Sequence, residues 1–401
     1  MPGTEKFGKE ELKEVMDVMN TGILFRYNHE AQRNNIWKAK EFENEVKKIT
    51  GAKYALAVSS GSAGILAALA ASGVGYGDEV IVPPFTFAAT IEAVLFLGAI
   101  PVFAEIDETL CLSAEGIEKA LTPKTKAVCL VHMCGGMADM DSILEVVKKH
   151  NLLLVEDAGQ AFAASYKGTY TGLFGQAGSY SFDFFKIATA GEGGVFVTND
   201  EHTYKMAEYF CDHGHNHEGN NRGMEQHPIV GFNFRISELH AAVGLAQTRR
   251  VPEIKTINQQ HKKYLQTKIK QAINEIEFSR LPDESGDSAT FMNMLLPDTE
   301  TAKAVVQELN KNGVGGFNYW YTNMYHFINQ WDHIKHLKFP NKMAIHYLNI
   351  PQDYKNLSLP KSQEVIGRLI SFGIRVTWTQ EEMDKLAQQI IQSVKQAMVK
   401  A

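Results

Sequence analysis

The sequence predicts an α/β fold, with a large domain built on a mostly parallel sheet flanked by helices and a smaller α+β domain after it. Three observations carry this. Between Tyr54 and Glu156, short apolar runs alternate with segments of helical periodicity, the pattern of βαβ crossovers. At 401 residues the chain is too long for one simple core. Beyond Val251 the alternation gives way to a long charged helix and mixed elements, so the expected division is 1–250 and 251–401.

Taken in order, residues 8 to 20 have helical periodicity with Leu12, Val15, Met16 and Met19 on one face, ended by Gly22. An irregular stretch leads to a helix from Lys38 to Ile49. Strand Tyr54–Ser59, helix Ser62–Ala71, strand Glu79–Val82 and helix Ala88–Leu97 follow, then strand Pro101–Ile106 and helix Ser113–Leu121. Strand Lys126–His132, helix Asp141–His150 and strand Leu152–Glu156 complete the alternation. Ala177–Phe182 and Val195–Thr198 read as strands around a glycine-rich loop. Helices are expected over Glu201–Cys211 and Ile236–Arg249, with Pro252 breaking the line before a charged helix to Ile276. Strands Phe291–Leu296 and Ile374–Thr377, helix Thr301–Asn312 and a last helix from Gln380 make up the smaller domain, while residues 318–358 are aromatic-rich and have no clear period.

Composition narrows the function. Hydrophobic residues at 44% and charged residues at 21% are those of a soluble globular protein, expected in the cytoplasm. A net charge of −6 leaves no basic surplus for nucleic acid, and no apolar window is long enough for a membrane span. The N-terminus lacks a signal-peptide layout, and four cysteines without a C-x-x-C pair suit reduced thiols.

Lys186 lies in the loop between two apolar strands, where an ammonium is poorly solvated and an amine loses its proton easily enough to form a Schiff base with an aldehyde. An ordinary surface lysine is the plain alternative. Ser59-Ser60-Gly61-Ser62-Ala63-Gly64 stands where a strand turns into a helix, which makes either an anion site or an ordinary N-cap. Without a G-x-x-x-x-G-K-[ST] run, a single phosphate fits better than a pyrophosphate. Asp157 ends a strand on the edge where ligands bind in open α/β sheets, placed to pair with a cationic ring nitrogen or to cap a loop. Gln160 is a ring contact or a first-turn residue, and Phe87 stacks on a flat ring or packs in the core. His213, His215 and His217 alternate in a polar, glycine-rich stretch that favours a substrate or interface loop over a metal site.

Together these residues resemble the pyridoxal-phosphate enzymes of fold type I, and within them the DegT/StrS sugar aminotransferases. The stretches that carry the likeness are Ser60-Gly61-Ser62-Ala63, Pro84-Phe85-Thr86-Phe87, Glu156-Asp157-Ala158-Gly159-Gln160, Ser181 through Gly194, and Gly231-Phe232-Asn233-Phe234-Arg235. Ser62 replaces the usual threonine and keeps its hydroxyl. The resemblance implies that Lys186 holds pyridoxal 5'-phosphate, that Asp157 pairs with its ring nitrogen, that Phe87 stacks on the ring and that Gln160 contacts its hydroxyl side. Gly61, Ser62, Ala63 and Ser181 would bind the phosphate, and Asn233 would reach the phosphate of a neighbouring subunit in a homodimer with shared sites. It further implies an amino group carried from L-glutamate, which leaves as 2-oxoglutarate, through the pyridoxamine form of the cofactor to a carbonyl sugar. Arg26, Tyr27, His215, Arg235 and Tyr319 become candidates for substrate contact.

Phe25–Asn28, Val82–Phe87, Ala104–Ser113, Val131–Gly135, Asp212–His215 and Tyr319–Tyr321 resemble, more narrowly, family members that aminate C8 of 8-oxo-3,8-dideoxy-manno-octulosonate for lipopolysaccharide. A nucleotide-linked keto-sugar and a sugar dehydration on the same cofactor are the alternatives. Dehydrating relatives carry histidine in place of the lysine, and Lys186 is retained here. A cofactor-sensing regulator would need a basic appendage, which neither end offers.

Overall fold

The computed structural model describes residues 2–219 and 221–399. Helices α1 (Lys9–Thr21) and α2 (Lys38–Thr50) precede the alternating segment. That segment runs β1 (Tyr54–Val58), α3 (Gly61–Ala71), β2 (Glu79–Val82), α4 (Ala89–Phe96), β3 (Ile100–Phe103) and α5 (Ala114–Ala120). It continues with β4 (Thr125–Val131), α6 (Met140–Lys149) and β5 (Leu153–Asp157). A short hairpin of β6 (Ser165–Tyr166) and β7 (Thr169–Tyr170) leads to β8 (Ala177–Ser181) and β9 (Gly194–Thr198).

The seven-stranded sheet has the order β1-β9-β8-β5-β4-β2-β3. Every pair from β3 across to β8 is parallel, while β9 is antiparallel to both of its neighbours. Only β9 is reversed, so β1, β2, β4, β5 and β8 all end on one edge. Helix α3 is apolar nearly all round because it is covered on both sides, with Ala63, Ile65, Ala67, Ala68 and Leu69 buried.

Helices α7 (Glu201–Cys211) and α8 (Glu238–Arg249) lead to α9 (Val251–Ala272). Pro252 stands in the first turn of α9 and opens it, since a missing N–H costs nothing there. Val251 and Ile254 of α9 sit in the core under the large sheet, and Leu265 and Ile269 in a second core. That second core is built on β10 (Glu277–Phe278), β11 (Phe291–Leu295), α10 (Thr299–Lys311), β12 (Phe317–Tyr319), β13 (Leu369–Gly373) and α13 (Gln380–Met398), whereas the short α11 (Asp332–Lys335) and α12 (Pro360–Arg368) turn Ile334, Val365 and Ile366 to the first core. Its four strands are antiparallel in the order β10-β11-β13-β12. Strand periodicity divides β11 between the cores, with Phe291 and Leu295 in the first and Met292 and Met294 in the second.

Two expectations are corrected. The strand at 374–377 lies instead at Leu369–Gly373, and residues 374–379 form the connection to α13. On α1 the apolar face looks outward: Leu12, Met16 and Met19 are exposed, whereas Glu11, Glu14 and Val18 are buried. The buried carboxylates are paired, Glu11 with Arg250, and Glu14 with Lys38 and Arg249, so the helix docks through charge pairs. Among the described residues, no helix is long and apolar enough to cross a membrane.

Candidate active site

A cavity of about 980 Å3 opens where the strand ends of the large sheet meet the second sheet. The start of α3 forms part of its wall. Ser60 is the N-cap, its Oγ accepting from the Ala63 amide at 3.0 Å, so Ser62 stays exposed in the first turn. First-turn amides have no intrahelical acceptor, and Gly61, Ser62 and Ser181 converge there. Gly61 is what lets them meet, since a Cβ on it would lie 2.7 Å from Ser181 Cβ. Ala63 is buried, gives its amide to the cap and does not line the cavity.

Lys186 lies opposite, in a turn closed by its own amide on the Asp183 carbonyl (3.0 Å). Among the described residues its Nζ has no hydrogen-bond partner and no carboxylate within 4 Å. Burial lowers the Lys186 pKa, against the weaker pull of Asp183 and Asp157. Asp157, at the end of β5, accepts from the Gly159 amide (3.0 Å) and from Thr90 Oγ1 (2.7 Å). Thr90 is in turn 2.8 Å from Thr86 Oγ1, and both threonines are buried, so this hydroxyl chain fixes the carboxylate's orientation. Behind Asp157, the buried Glu156 accepts from the amides of Gly172, Phe174 and Gly175 and pairs with His132 Nε2, which pins the strand end. Phe87 shows 44% of its surface to the cavity, and Gln160 lines it while accepting from the Cys134 amide.

Several more residues line the cavity, of which only Trp320 lies in a stretch that carries the resemblance. The irregular segment after β12 supplies Trp320, Asn323, Tyr325 and His326. It is stitched to the loop after β2 by Thr86 N to His326 O (3.0 Å) and Ile328 N to Pro84 O (2.9 Å). His326 lies edge-on to Trp320, and burial together with the nearby Lys186 charge pushes its pKa down to about 4. From the connection after β13 come Arg375 and Trp378. Asn323, Tyr325, His326, Arg375 and Trp378 have no local pattern, since they reach the cavity only when two remote segments fold together.

The remaining candidates lie outside this cavity. Buried Arg26 donates to the Ala57 carbonyl and the Glu43 carboxylate. Tyr27 stacks on His217 with ring centroids 4.2 Å apart. Arg235 pairs with Asp212, His215 Nδ1 is 2.9 Å from Glu225, and Tyr319 gives its hydroxyl to the Gly367 carbonyl. Asn233 is exposed beside Phe232, its side-chain carbonyl accepting from the Arg235 amide. Arg26 and Arg235 pair with carboxylates in their own clusters, and neither lines the cavity.

The arrangement can bind a single phosphate at the start of α3, stack a flat ring on Phe87, hold a cationic ring nitrogen at Asp157 and attack a carbonyl carbon with Lys186. Residues 5–369 match the DegT/DnrJ/EryC1/StrS aminotransferase family. GDP-perosamine synthase of Caulobacter vibrioides is 43% identical over 214 residues, 53% of this chain and 57% of that protein, so the chain spans little more than half of that relative's length. An aminotransferase from Psychrobacter cryohalolentis has the same fold at a TM-score of 0.81 with 26% identity over 98% of each chain. A Bacillus subtilis protein, ntda, solved with bound PMP, superposes at a TM-score of 0.81 over 98% of this chain and 84% of its own, at 23% identity.

Proposed function

The chain belongs to the DegT/DnrJ/EryC1/StrS aminotransferase family, a pyridoxal-phosphate family of fold type I, and on that premise we propose that it moves an amino group from L-glutamate to a carbonyl sugar. The observation that carries the reading is Lys186, an amine of lowered pKa without an ion pair, sharing a cavity with Asp157. The cavity suits the cofactor on chemical grounds. Its free helix-start amides and hydroxyls take a phosphate, the carboxylate turned inward by Thr90 and Gly159 takes a ring nitrogen, and Phe87 offers an open aromatic face.

When bound, pyridoxal phosphate supplies an aldehyde that accepts the amino group and a ring that draws electrons from the substrate carbon. Lys186 Nζ would hold the aldehyde in the resting protein and would be a free amine once the donor is bound. The released amine then takes the proton from the donor's α-carbon and returns it one position away. Asp157 holds the ring nitrogen in its cationic form during this transfer, and Gly61, Ser62 and Ser181 keep the phosphate still. The second half-reaction retraces these steps with the sugar carbonyl, which gives ping-pong kinetics.

A nucleotide-linked keto-sugar is the acceptor that the relatives support, since a 43% identical protein is a GDP-perosamine synthase. C8 of 8-oxo-3,8-dideoxy-manno-octulosonate is the second reading, supported by the sequence stretches outside the cofactor shell such as Phe25–Asn28 and Asp212–His215. A homodimer with shared sites is the assembly we infer, and the position of Asn233 outside its own chain's cavity supports it. To test the function, the cofactor-loaded protein is given glutamate, then each sugar in turn, and the products are weighed. An added amino nitrogen on one sugar and its loss in Lys186→Ala are expected. Full turnover by that variant would refute the proposal.

A further inference from the structure

The substrate must be held as well as the cofactor, and glutamate is held by its carboxylates. The arginines singled out by sequence motifs, Arg26 and Arg235, are bound to Glu43 and Asp212 away from the cavity. Arg375 is placed differently. It lines the cavity from the connection between β13 and α13, with 60% of its side chain exposed. Its guanidinium makes no hydrogen bond among the described residues, and the nearest carboxylate, Glu5, is 4.0 Å from its Nε.

The backbone carrying Arg375 is nevertheless clamped. Glu5 Oε2 accepts from the amides of Val376 (2.9 Å) and Thr377 (3.3 Å) and from the Thr377 hydroxyl (3.2 Å), while its Oε1 stands off from the Arg375 Nε at 4.0 Å, beyond hydrogen-bond distance. His261 Nδ1 is 2.8 Å from the Arg375 carbonyl, and the Ile374 amide donates to Thr290 O at 2.9 Å. A fixed backbone under a guanidinium with idle donors is a preorganised anion site. The cavity wall near it is apolar, with Phe317, Phe372, Trp378 and Leu386, which offer a ligand no competing charge.

We propose that Arg375 is the anchor for a substrate carboxylate, resting on the aminotransferase reading above. A planar fork matches one carboxylate with two parallel bonds. A diphosphate would need several cations, and the cavity wall instead carries Asp157, Asp183 and Glu192 beside Lys186 and Arg375. The carboxylate belongs either to the amino donor or to a sugar acid, and the two half-reactions separate these sources.

The test compares cofactor-loaded wild type with Arg375→Gln and Arg375→Lys. If the donor is the source, half-saturation by glutamate rises about tenfold or more in Arg375→Gln, with a smaller change in the limiting rate. A simple primary amine without a carboxylate then reacts equally with both proteins, and Arg375→Lys recovers part of the loss. If a sugar acid is the source, the same rise appears only in the second half-reaction. Equal half-saturation for both substrates, or a loss confined to a nucleotide-linked sugar, overturns the proposal. Calorimetric titration with glutarate reads the site without turnover. Weakened binding in Arg375→Gln supports the anchor even if no sugar is aminated, and glutarate binding equal to wild type together with unchanged half-saturation by a sugar acid overturns it.

Discussion

At the scale of single residues, Lys186 is a group the fold tolerates for its chemistry. Its half-buried side chain lines the cavity, its amine lacks an ion pair, and burial lowers its pKa. Without cofactor, such a group destabilises the native state wherever it is protonated. The sign follows from proton counting: as pH rises through the lowered native value, the folded protein sheds the proton while the unfolded chain keeps it up to about 10.4. Stability of the cofactor-free wild type therefore rises across that window. Lys186→Met has no proton to shed. It is expected to be more stable than wild type by roughly 1 kcal/mol at pH 7, with the gap closing towards pH 10. Urea unfolding of both cofactor-free proteins at the two pH values measures this, and a methionine variant less stable at both would contradict it.

At the scale of elements, the loop between α7 and α8 hangs on one carboxylate. Asp212, fully buried, accepts both terminal nitrogens of Arg222 (2.8 and 2.6 Å) and pairs with Arg235. Burial pushes its pKa up, but the two guanidiniums outweigh that and hold it below the usual carboxylate range. Its contribution is present above about pH 3.9 and is lost as pH falls through the lowered value. Asp212→Asn should cost about 1–3 kcal/mol and speed hydrogen exchange over residues 213–232 while the amides of β4 and β5 keep their protection. Uniform exchange across the chain would mean that the carboxylate supports the whole fold instead. This loop also marks the limit of what a linear reading shows. Lys186, Asp157, Ser62, Phe87 and Gln160 stand near strand ends or helix starts, where the local pattern leaves plain alternatives open, Ser181 enters through the family resemblance, and all six line one cavity. Arg375 and His326 are not legible, since they reach it from segments without a period: the turn after β13 and the short helical turns between Trp320 and Asn356. The outward apolar face of α1 was misread for a related reason. Hydrophobic periodicity locates a stripe, but buried pairs such as Glu14 with Lys38 decide which side docks.

At the scale of the whole molecule, Asn233 stands apart from the cavity that the other cofactor candidates line. Asn233 is exposed next to Phe232, which is 63% exposed, and Val230, which is 93% exposed, and it does not line the cavity holding Lys186. If two copies pair so that Asn233 of one serves the cofactor phosphate in the other, each site draws its lysine and its asparagine from different chains. Lys186→Ala and Asn233→Ala homodimers are then both impaired, the first in turnover and the second in cofactor retention. Unfolded together and refolded as an equal mixture, they form heterodimers in which the Lys186 of one chain meets the Asn233 of the other. One site of such a pair is intact and the other lacks both groups. With random pairing, half of the dimers are mixed, so about one quarter of wild-type activity should return. Were Asn233 to act within its own chain, every intact lysine would sit beside a missing asparagine, and mixing would restore nothing. Size-exclusion chromatography of the mixture must show dimers for the comparison to hold, and a monomer that turns over at the full wild-type rate would defeat the shared-site arrangement outright.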